Sequence, residues 1–148
     1  MSPAGNGNAN VRALKEAHDN FNERNFEALK QKAAEGMSYR DRAGGRVFEG
    51  RDEWVSEWLQ FWIAGFPDAR LENRTYIDGG NTVTALVTGR GTNDGAFGPF
   101  PSTGKHAEFR ACEIIRFDGS GKMVSGEVYY DRLTLLVQLG HIQEPQGG

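Results

Sequence analysis

The sequence predicts a single α+β domain in which helices cover one face of a curved antiparallel sheet. In the first half of the chain, apolar residues recur at helical spacing. In the second half, the pattern changes to the alternation that is typical of strands, and hairpin turns separate these strands. Helices followed by antiparallel strands favour an α+β arrangement. The length of 148 residues suits one domain with a core of ordinary size.

The first two helices are predicted from apolar spacing and from capping residues. Apolar side chains at helical spacing predict an amphipathic helix over residues 11–23. A second helix over residues 26–35 is predicted because Asn25 can cap its start and Gly36 can end it.

The next stretch combines an irregular segment with a third helix. Residues 37–48 are predicted to be irregular, and a helix follows over about residues 51–64, where Gly65 and Pro67 end it. Four aromatic side chains of this helix fall on one face, namely Trp54, Trp58, Phe61 and Trp62.

The strands follow in the second half of the chain. Residues 70–77 and 82–91 flank a turn over residues 78–81, a pattern that predicts a hairpin. A loop over residues 92–105 leads to the clearest alternation, at residues 107–117. The remaining predicted elements are a strand over residues 123–130 and a short helix over residues 133–139.

Composition and the chain ends set the expected class of protein. Residues 1–10 and 141–148 are expected to be flexible ends around a domain at residues 11–140. The net charge of −3, with 17 scattered Lys and Arg, argues against nucleic-acid binding. No apolar run reaches the roughly 18–20 residues of a membrane span. The polar N-terminus and the single cysteine predict a cytoplasmic protein.

The strand at residues 107–117 carries the main candidate for chemistry. Strand side chains alternate between faces, and Glu113 is the only charged residue on the apolar, odd-numbered face. Burial of an unpaired carboxylate is costly, so Glu113 either has an internal partner or faces a cavity where it acts chemically. The small neighbour Ala111 leaves room and favours the cavity. We expect the apolar surroundings to raise the pKa of Glu113.

Further candidates lie near this strand. Tyr130 could donate a hydrogen bond to a ligand or to Glu113, although a core tyrosine is an equal interpretation. Asp131 is a candidate catalytic group, although N-capping of the last helix is the stronger interpretation. We expect a small apolar or aromatic ligand. The residues predicted to line its site are Tyr39, Trp54, Trp58, Phe61, Trp62, Phe109, Ala111 and Val128. Ordinary core packing is the alternative role of these residues.

No cofactor or metal is expected. His18, His106 and His141 lack the spacing of metal ligands, and His18 is interpreted as a rim or core histidine. The glycine-rich residues 89–95 lack the strand–turn–helix context of a dinucleotide site. The chemistry of the site is therefore expected to be cofactor-free acid/base chemistry.

Several short stretches, in order along residues 11–140, resemble the SnoaL-like polyketide cyclases of the nuclear transport factor 2-like superfamily. They are residues 48–52, 66–69, 91–95, 101–105 and 130–131, followed by 138–140. The resemblance implies a cone, in which a strongly bent antiparallel sheet and helices enclose an apolar pocket.

The resemblance also implies where catalytic groups stand. In this family an Asp on the last strand serves as acid/base for an intramolecular aldol closure, helped by a His on the preceding strand. Counting along the matching stretches places the Asp position at Val128 and the His position at Glu113. Many members carry a His in a Gly-Thr-His-x-Gly loop, where this chain has Asn93.

Three functions follow as hypotheses. The leading one is a cofactor-independent lyase or isomerase acting on a polyketide-like or other cyclic ketone by aldol cyclisation or isomerisation. In it, Glu113 is the general base and Tyr130 or a loop group stabilises the enolate. The second is a non-catalytic small-molecule-binding domain. The third is an interaction or dimerisation unit in which Glu113 pairs with an internal Arg and Trp side chains fill the pocket. A homodimer is expected.

Overall fold

The computed structural model describes residues 3–143, with side chains described from residue 9 onward. Its helices are α1 (Pro3–Asn22), α2 (Phe26–Gln31), α3 (Arg51–Glu53), α4 (Gln60–Gly65) and α5 (Arg132–Gln138), and a π-helical segment (Trp54–Leu59) joins α3 to α4. Its strands are β1 (Ala33–Asp41), β2 (Arg46–Glu49), β3 (Arg70–Gly79), β4 (Thr82–Thr92), β5 (His106–Phe117) and β6 (Met123–Tyr130). Of the ends expected to be flexible, at residues 1–10 and 141–148, residues 1–2 and 144–148 lie outside the described residues.

One six-stranded sheet, in the order β2-β1-β6-β5-β4-β3, forms the body of the fold. Its neighbours pair antiparallel except β1 and β6, which pair in parallel. The sheet is curved and unclosed, and α1 packs against β3 and β4. The core lies between the sheet and the helices, which confirms the predicted α+β class.

The first helix begins earlier than predicted, at Pro3 rather than at residue 11. Asn10 explains part of this difference, because its side chain is 4% exposed and its amide donates to the carbonyl oxygen of Gly80 at 2.9 Å. This long-range contact holds the helix against the β3–β4 turn, and the local sequence does not predict it.

The second helix is shorter than predicted, and the prediction of an irregular segment over residues 37–48 is wrong. Asn25 caps α2 by accepting from the backbone N–H of Ala28, as expected, but the helix ends at Gln31 and β1 follows at once. Met37 and Tyr39 point into the core from β1. This alternation is disguised by a register shift between Ala33 and Ser38, and the strand gains its backbone partners from distant β6 and from β2.

The third helix is confirmed over residues 51–65, with a π-helical segment at its centre. π-Helical turns are rare and occur often at functional sites. The segment buries Trp54 and Trp58 against the sheet. The predicted hairpin, the long loop, β5, β6 and the final helix are also confirmed.

A glycine on β6 allows an aromatic ring to lie flat against the sheet. A Cβ atom on Gly126 would lie 2.7 Å from Ile115 Cδ1 and 2.7 Å from Tyr39 Cδ2. Both neighbours are fully buried, so neither side chain has space to withdraw. Gly126 therefore fixes how closely the ring of Tyr39 approaches β6.

We expect Gly126→Ala to destabilise the protein by about 1–3 kcal/mol, because the added methyl group overpacks the core between these side chains. Urea unfolding followed by circular dichroism measures the change. Gly36→Ala is the matched control, since a Cβ atom at that strand position meets nothing within 4 Å. Equal unfolding midpoints for the two variants would contradict the role given to Gly126.

Candidate active site

The sheet and the helices enclose a cavity of about 120 Å³. Most of the predicted site residues line it, and these are Glu113, Tyr130, Tyr39, Trp54, Trp58, Trp62, Phe109, Ala111 and Val128. The structure therefore brings together side chains from β1, β5, β6 and the helical stretch at residues 51–65. His18 of α1 joins them.

Two predicted residues lie outside the set that lines the cavity. Phe61 packs against Phe97, with ring centroids 4.9 Å apart, and against the guanidinium of Arg46. Asp131 is exposed, and its carboxylate accepts from the backbone N–H of Thr134 at 3.0 Å and from that residue's hydroxyl at 2.6 Å. Asp131 is thus the N-cap of α5, the stronger of its two interpretations.

Glu113 lies on the core-facing side of β5, as the alternation predicted. It stands opposite Ala85 of β4 and Val128 of β6 in the strand register. Its side chain is 15% exposed. The small and apolar residues opposite it leave its carboxylate without a partner on the two neighbouring strands, so hydrogen bonds have to come from other elements.

Two side chains from distant elements donate to this carboxylate. His18 Nε2 lies 2.8 Å from Oε1, and the hydroxyl of Tyr39 donates to Oε2 at 2.5 Å. Because an ionised carboxylate only accepts hydrogen bonds, we assign a proton to His18 Nε2. The other ring nitrogen, Nδ1, lies 2.7 Å from the hydroxyl of Tyr76 on β3. The result is a chain of hydrogen bonds, Tyr39–Glu113–His18–Tyr76.

These donors reverse the expected ionisation of Glu113. Burial alone would raise its pKa, but the hydrogen bond from His18, the charge of that imidazole and the hydrogen bond from Tyr39 outweigh burial. The pKa of Glu113 therefore lies below the ordinary value, and the prediction of a raised pKa is wrong. Burial, together with the neighbouring Glu113 charge, raises the pKa of Tyr39 and keeps its hydroxyl protonated.

Tyr130 lines the cavity, but the carboxylate that acts on its hydroxyl is that of Asp41 and not that of Glu113. Burial and the proximity of Asp41 raise the pKa of Tyr130. Asp41 is itself buried and accepts from the backbone N–H groups of Ala43 and Gly44. The hydrogen bond predicted between Tyr130 and Glu113 is not found among the described residues. The carboxylate of Glu113 instead accepts hydrogen bonds from His18 and Tyr39.

Aromatic rings form the walls around this polar cluster. The ring of Tyr39 lies 5.8 Å from that of Trp54 and 5.9 Å from that of Trp58. Trp62 stacks on Phe109 at 5.6 Å and meets Tyr130 edge-on at 5.7 Å. Such rings favour flat apolar ligands.

The sequence predicts Tyr39 as a residue that lines the site but gives no sign that its hydroxyl donates to Glu113. The sequence favours a rim or core role for His18 and does not single out Tyr76. One signal was available, because a histidine on the apolar stripe of a helix needs a buried partner. Glu113 was the one carboxylate predicted to point inward.

Asn93, at the position where many family members carry a His, is fully buried and holds the long loop. Its amide donates to the carbonyl oxygens of Gly65 at 3.2 Å and Gly95 at 2.8 Å. Its Oδ1 accepts from the backbone N–H of Thr103 at 3.1 Å. These contacts give Asn93 a structural role at the end of α4.

Residues 3–143 contain neither a metal site nor a membrane-spanning helix. Within that range, no group of three or more His, Cys, Asp or Glu side chains is arranged to hold a metal ion. No helix in the same range combines the length and apolarity that crossing a membrane requires.

Solved structures share this fold at low sequence identity. IdmH from Streptomyces antibioticus is 24% identical, with 88% of this chain and 98% of that chain covered and a TM-score of 0.76. AclR from Streptomyces galilaeus is 20% identical, with 93% and 85% covered and a TM-score of 0.78. TerC, co-crystallized with polyporic acid, is 17% identical, with 89% and 98% covered and a TM-score of 0.73.

Among curated protein sequences, none matches this chain. The sequence profile of the SnoaL-like polyketide cyclases, in contrast, matches residues 11–139. That range contains every residue that lines the cavity, from Leu14 to Tyr130. The chain therefore belongs to the SnoaL-like polyketide cyclase family.

Proposed function

We propose that this protein is a cofactor-independent acid/base enzyme that acts on a polyketide-like or other cyclic ketone, with Glu113 as general base. The observation that carries the proposal is an anionic carboxylate, held by His18 and Tyr39, in the wall of an aromatic cavity. A carboxylate has about four lone-pair sites, so Glu113 can accept a proton while both donors stay in place.

The family pattern supports this role for Glu113. The position that carries the acid/base Asp in the resemblance is Val128, which stands directly opposite Glu113 across the β5–β6 pair. The carboxylate is thus displaced by one strand, to the position of the helping His. A base at this position still faces the same cavity.

In the proposed reaction, Glu113 removes a proton from the carbon next to the ketone carbonyl. The electrons of the broken C–H bond move to the carbonyl oxygen and form an enolate, which a hydroxyl group of the cavity stabilises. Tyr130 lines the cavity and keeps its hydroxyl proton, whereas the hydroxyl proton of Tyr39 is already donated to Glu113. The enolate carbon then attacks a second carbonyl in an aldol closure, or takes a proton back at another carbon in an isomerisation.

A binding function without catalysis is the second candidate. Both carboxylate oxygens of Glu113 already accept a hydrogen bond, an arrangement that also suits a static core. The third hypothesis expected an internal Arg as the partner of Glu113 and a pocket filled by Trp, whereas the partners are His18 and Tyr39 and a cavity exists. The homodimer and the cytoplasmic location stay predictions.

We expect Glu113→Gln to reduce enolisation by roughly 10²–10⁴-fold, because the amide keeps the shape of the side chain but is not a base. The measurement is deuterium exchange of the α-protons of 2-tetralone in D2O, followed by NMR. Glu108→Gln is the matched control, since this residue is exposed on the same strand and is expected to leave the rate unchanged. An unchanged exchange rate in Glu113→Gln would contradict the proposal.

The ionisation of Glu113 predicts how stability depends on pH. Its pKa is lowered in the folded protein, so its ionisation stabilises the fold above the unfolded-state pKa, and this contribution is lost as pH falls through the folded-state pKa. Wild type should therefore keep its stability advantage over Glu113→Gln above the ordinary glutamate pKa of about 4.3 and lose it progressively over the pH range below that value. Thermal unfolding of both proteins across that range measures the difference, and a constant difference would contradict a lowered pKa.

Binding of an aromatic probe separates the two candidate functions. We expect 2-naphthol to quench the fluorescence of the Trp residues that line the cavity, in wild type and in Glu113→Ala alike, because the walls supply most of the contact. Equal binding together with no 2-tetralone exchange by wild type would favour the binding function over the enzyme.

A further inference from the structure

We propose that Tyr76 is a positioning residue that holds the ring of His18 against Glu113 and thereby controls how readily this carboxylate takes up a proton. The juxtaposition that carries the inference is one imidazole ring between two partners. Its Nδ1 lies 2.7 Å from the Tyr76 hydroxyl, and its Nε2 lies 2.8 Å from Glu113 Oε1. The consequence for the reaction rests on the proposed function of Glu113 as the base.

The strand register places the two partners of the ring in one row on the same face of the sheet. Tyr76 of β3 stands opposite Ala85 of β4, and Ala85 stands opposite Glu113 of β5. Neighbouring strands lie about 4.8 Å apart, so roughly 10 Å separates the backbones of Tyr76 and Glu113. The small side chain of Ala85 is fully buried between them. The ring of His18, which comes from α1, bridges this distance.

A bulge in β3 turns Tyr76 to this face of the sheet. The pairing of β3 with β4 shifts by one residue between Glu72 and Thr75, and Asn73 within the shift has a φ of 49°. One extra residue exchanges the two faces of a strand. Leu71, before the bulge, lines the cavity, and Tyr76, after it, reaches the imidazole on the same face. Without the bulge, the hydroxyl of Tyr76 would point away from α1.

Tyr76 is the partner that Nδ1 of His18 needs. The side chain of His18 is 8% exposed, and among residues 9–143 the Tyr76 hydroxyl is the one hydrogen-bond partner of Nδ1. Burial raises the pKa of Tyr76 to about 12, so the hydroxyl keeps its proton at neutral pH. A hydroxyl both donates and accepts, so it satisfies Nδ1 with or without a proton on that nitrogen. Two partners on opposite sides fix the orientation of the ring.

Charged side chains of α1 and β3 surround the tyrosine. The ammonium group of Lys15 lies 5.8 Å from the centre of the Tyr76 ring. Arg74 pairs with Asp19 at 2.7 Å and adjoins the same tyrosine. Tyr76→Phe deletes the hydroxyl and leaves all three charges in place, so this variant isolates the contact to the imidazole.

The ionisation of Glu113 depends on where the ring of His18 lies. Burial raises the pKa of Glu113, and the hydrogen bond from His18 is the largest of the effects that lower it. Tyr39 of β1 is the other donor, whereas the neighbouring strands β4 and β6 present the side chains of Ala85 and Val128, which form no hydrogen bonds. A ring that turns or withdraws leaves burial less opposed, so Glu113 then takes up a proton at higher pH.

Loss of this positioning would reach the proposed reaction through Glu113. A protonated carboxylate is not a base, so the acid limb of the pH–rate profile would move to higher pH. Displacement of a catalytic group by about 1 Å can also cost about 10²-fold in rate. Tyr76 lies outside the set of residues that line the cavity, so its effect on the rate passes through His18.

The test titrates Glu113 without a substrate. In protein that carries ¹³C-labelled glutamate, NMR follows the Cδ signal of Glu113, which is assigned by its absence in Glu113→Gln. We expect the titration midpoint to lie at higher pH in Tyr76→Phe than in wild type. Tyr129→Phe is the matched control, because it removes an exposed hydroxyl that bonds to Glu127, and its midpoint should equal that of wild type. An unchanged midpoint in folded Tyr76→Phe, with folding checked by circular dichroism, would overturn the proposal.

A double-mutant cycle tests whether Tyr76 acts through the histidine. His18→Asn removes the ring, and we expect its midpoint to rise at least as far as that of Tyr76→Phe. Addition of Tyr76→Phe to His18→Asn should cause no further rise, because the residue through which Tyr76 acts is absent. A further rise as large as in the single Tyr76→Phe variant would mean that Tyr76 acts on Glu113 independently of His18, and would overturn the positioning role.

Exchange of 2-tetralone in D2O distinguishes the positioning role from the proposed function. If Glu113 is the base, we expect the exchange rate in Tyr76→Phe to fall by up to about 10²-fold, with its acid limb at higher pH. Absence of exchange in wild type would count against the proposed function, and the substrate-free titration would still decide the role of Tyr76.

Discussion

The site depends on a single constraint, which is that the carboxylate of Glu113 is placed on the apolar face of a sheet. Its cross-strand neighbours, Ala85 and Val128, offer no hydrogen bonds. A buried carboxylate without donors costs several kcal/mol or takes up a proton. His18 and Tyr39 supply the donors, and so the position of Glu113 dictates where α1 and β1 must lie.

Other features of the fold serve these two contacts. Gly126 lets the ring of Tyr39 lie against β6, and the π-helical segment brings Trp54 and Trp58 to the same ring. Asn10 fastens α1, the helix of His18, to the β3–β4 turn. Loss of any of these contacts is expected to loosen the donors before it unfolds the sheet, because donor geometry is more sensitive to small displacements than burial is.

The same donors set the chemistry that the site can perform. A carboxylate kept anionic by hydrogen bonds is ready to accept a proton at neutral pH, but it is a weaker base than one with a raised pKa. The proposed enzyme therefore relies on stabilisation of the enolate and on the aromatic walls for much of its rate. Val128 stands opposite Glu113 on β6, at the position where the family resemblance implies the acid/base Asp.

The sequence by itself determined the α+β class, the hairpin turns, the aromatic helix and the inward direction of Glu113, because local periodicity and capping encode each of them. It did not determine β1, whose backbone partners come from β6 and β2. Only the tertiary structure decided the partners of Glu113, because His18 and Tyr39 are 95 and 74 residues away along the chain. The ionisation of a buried group depends on such distant donors, so alternation located the carboxylate while the fold set its charge.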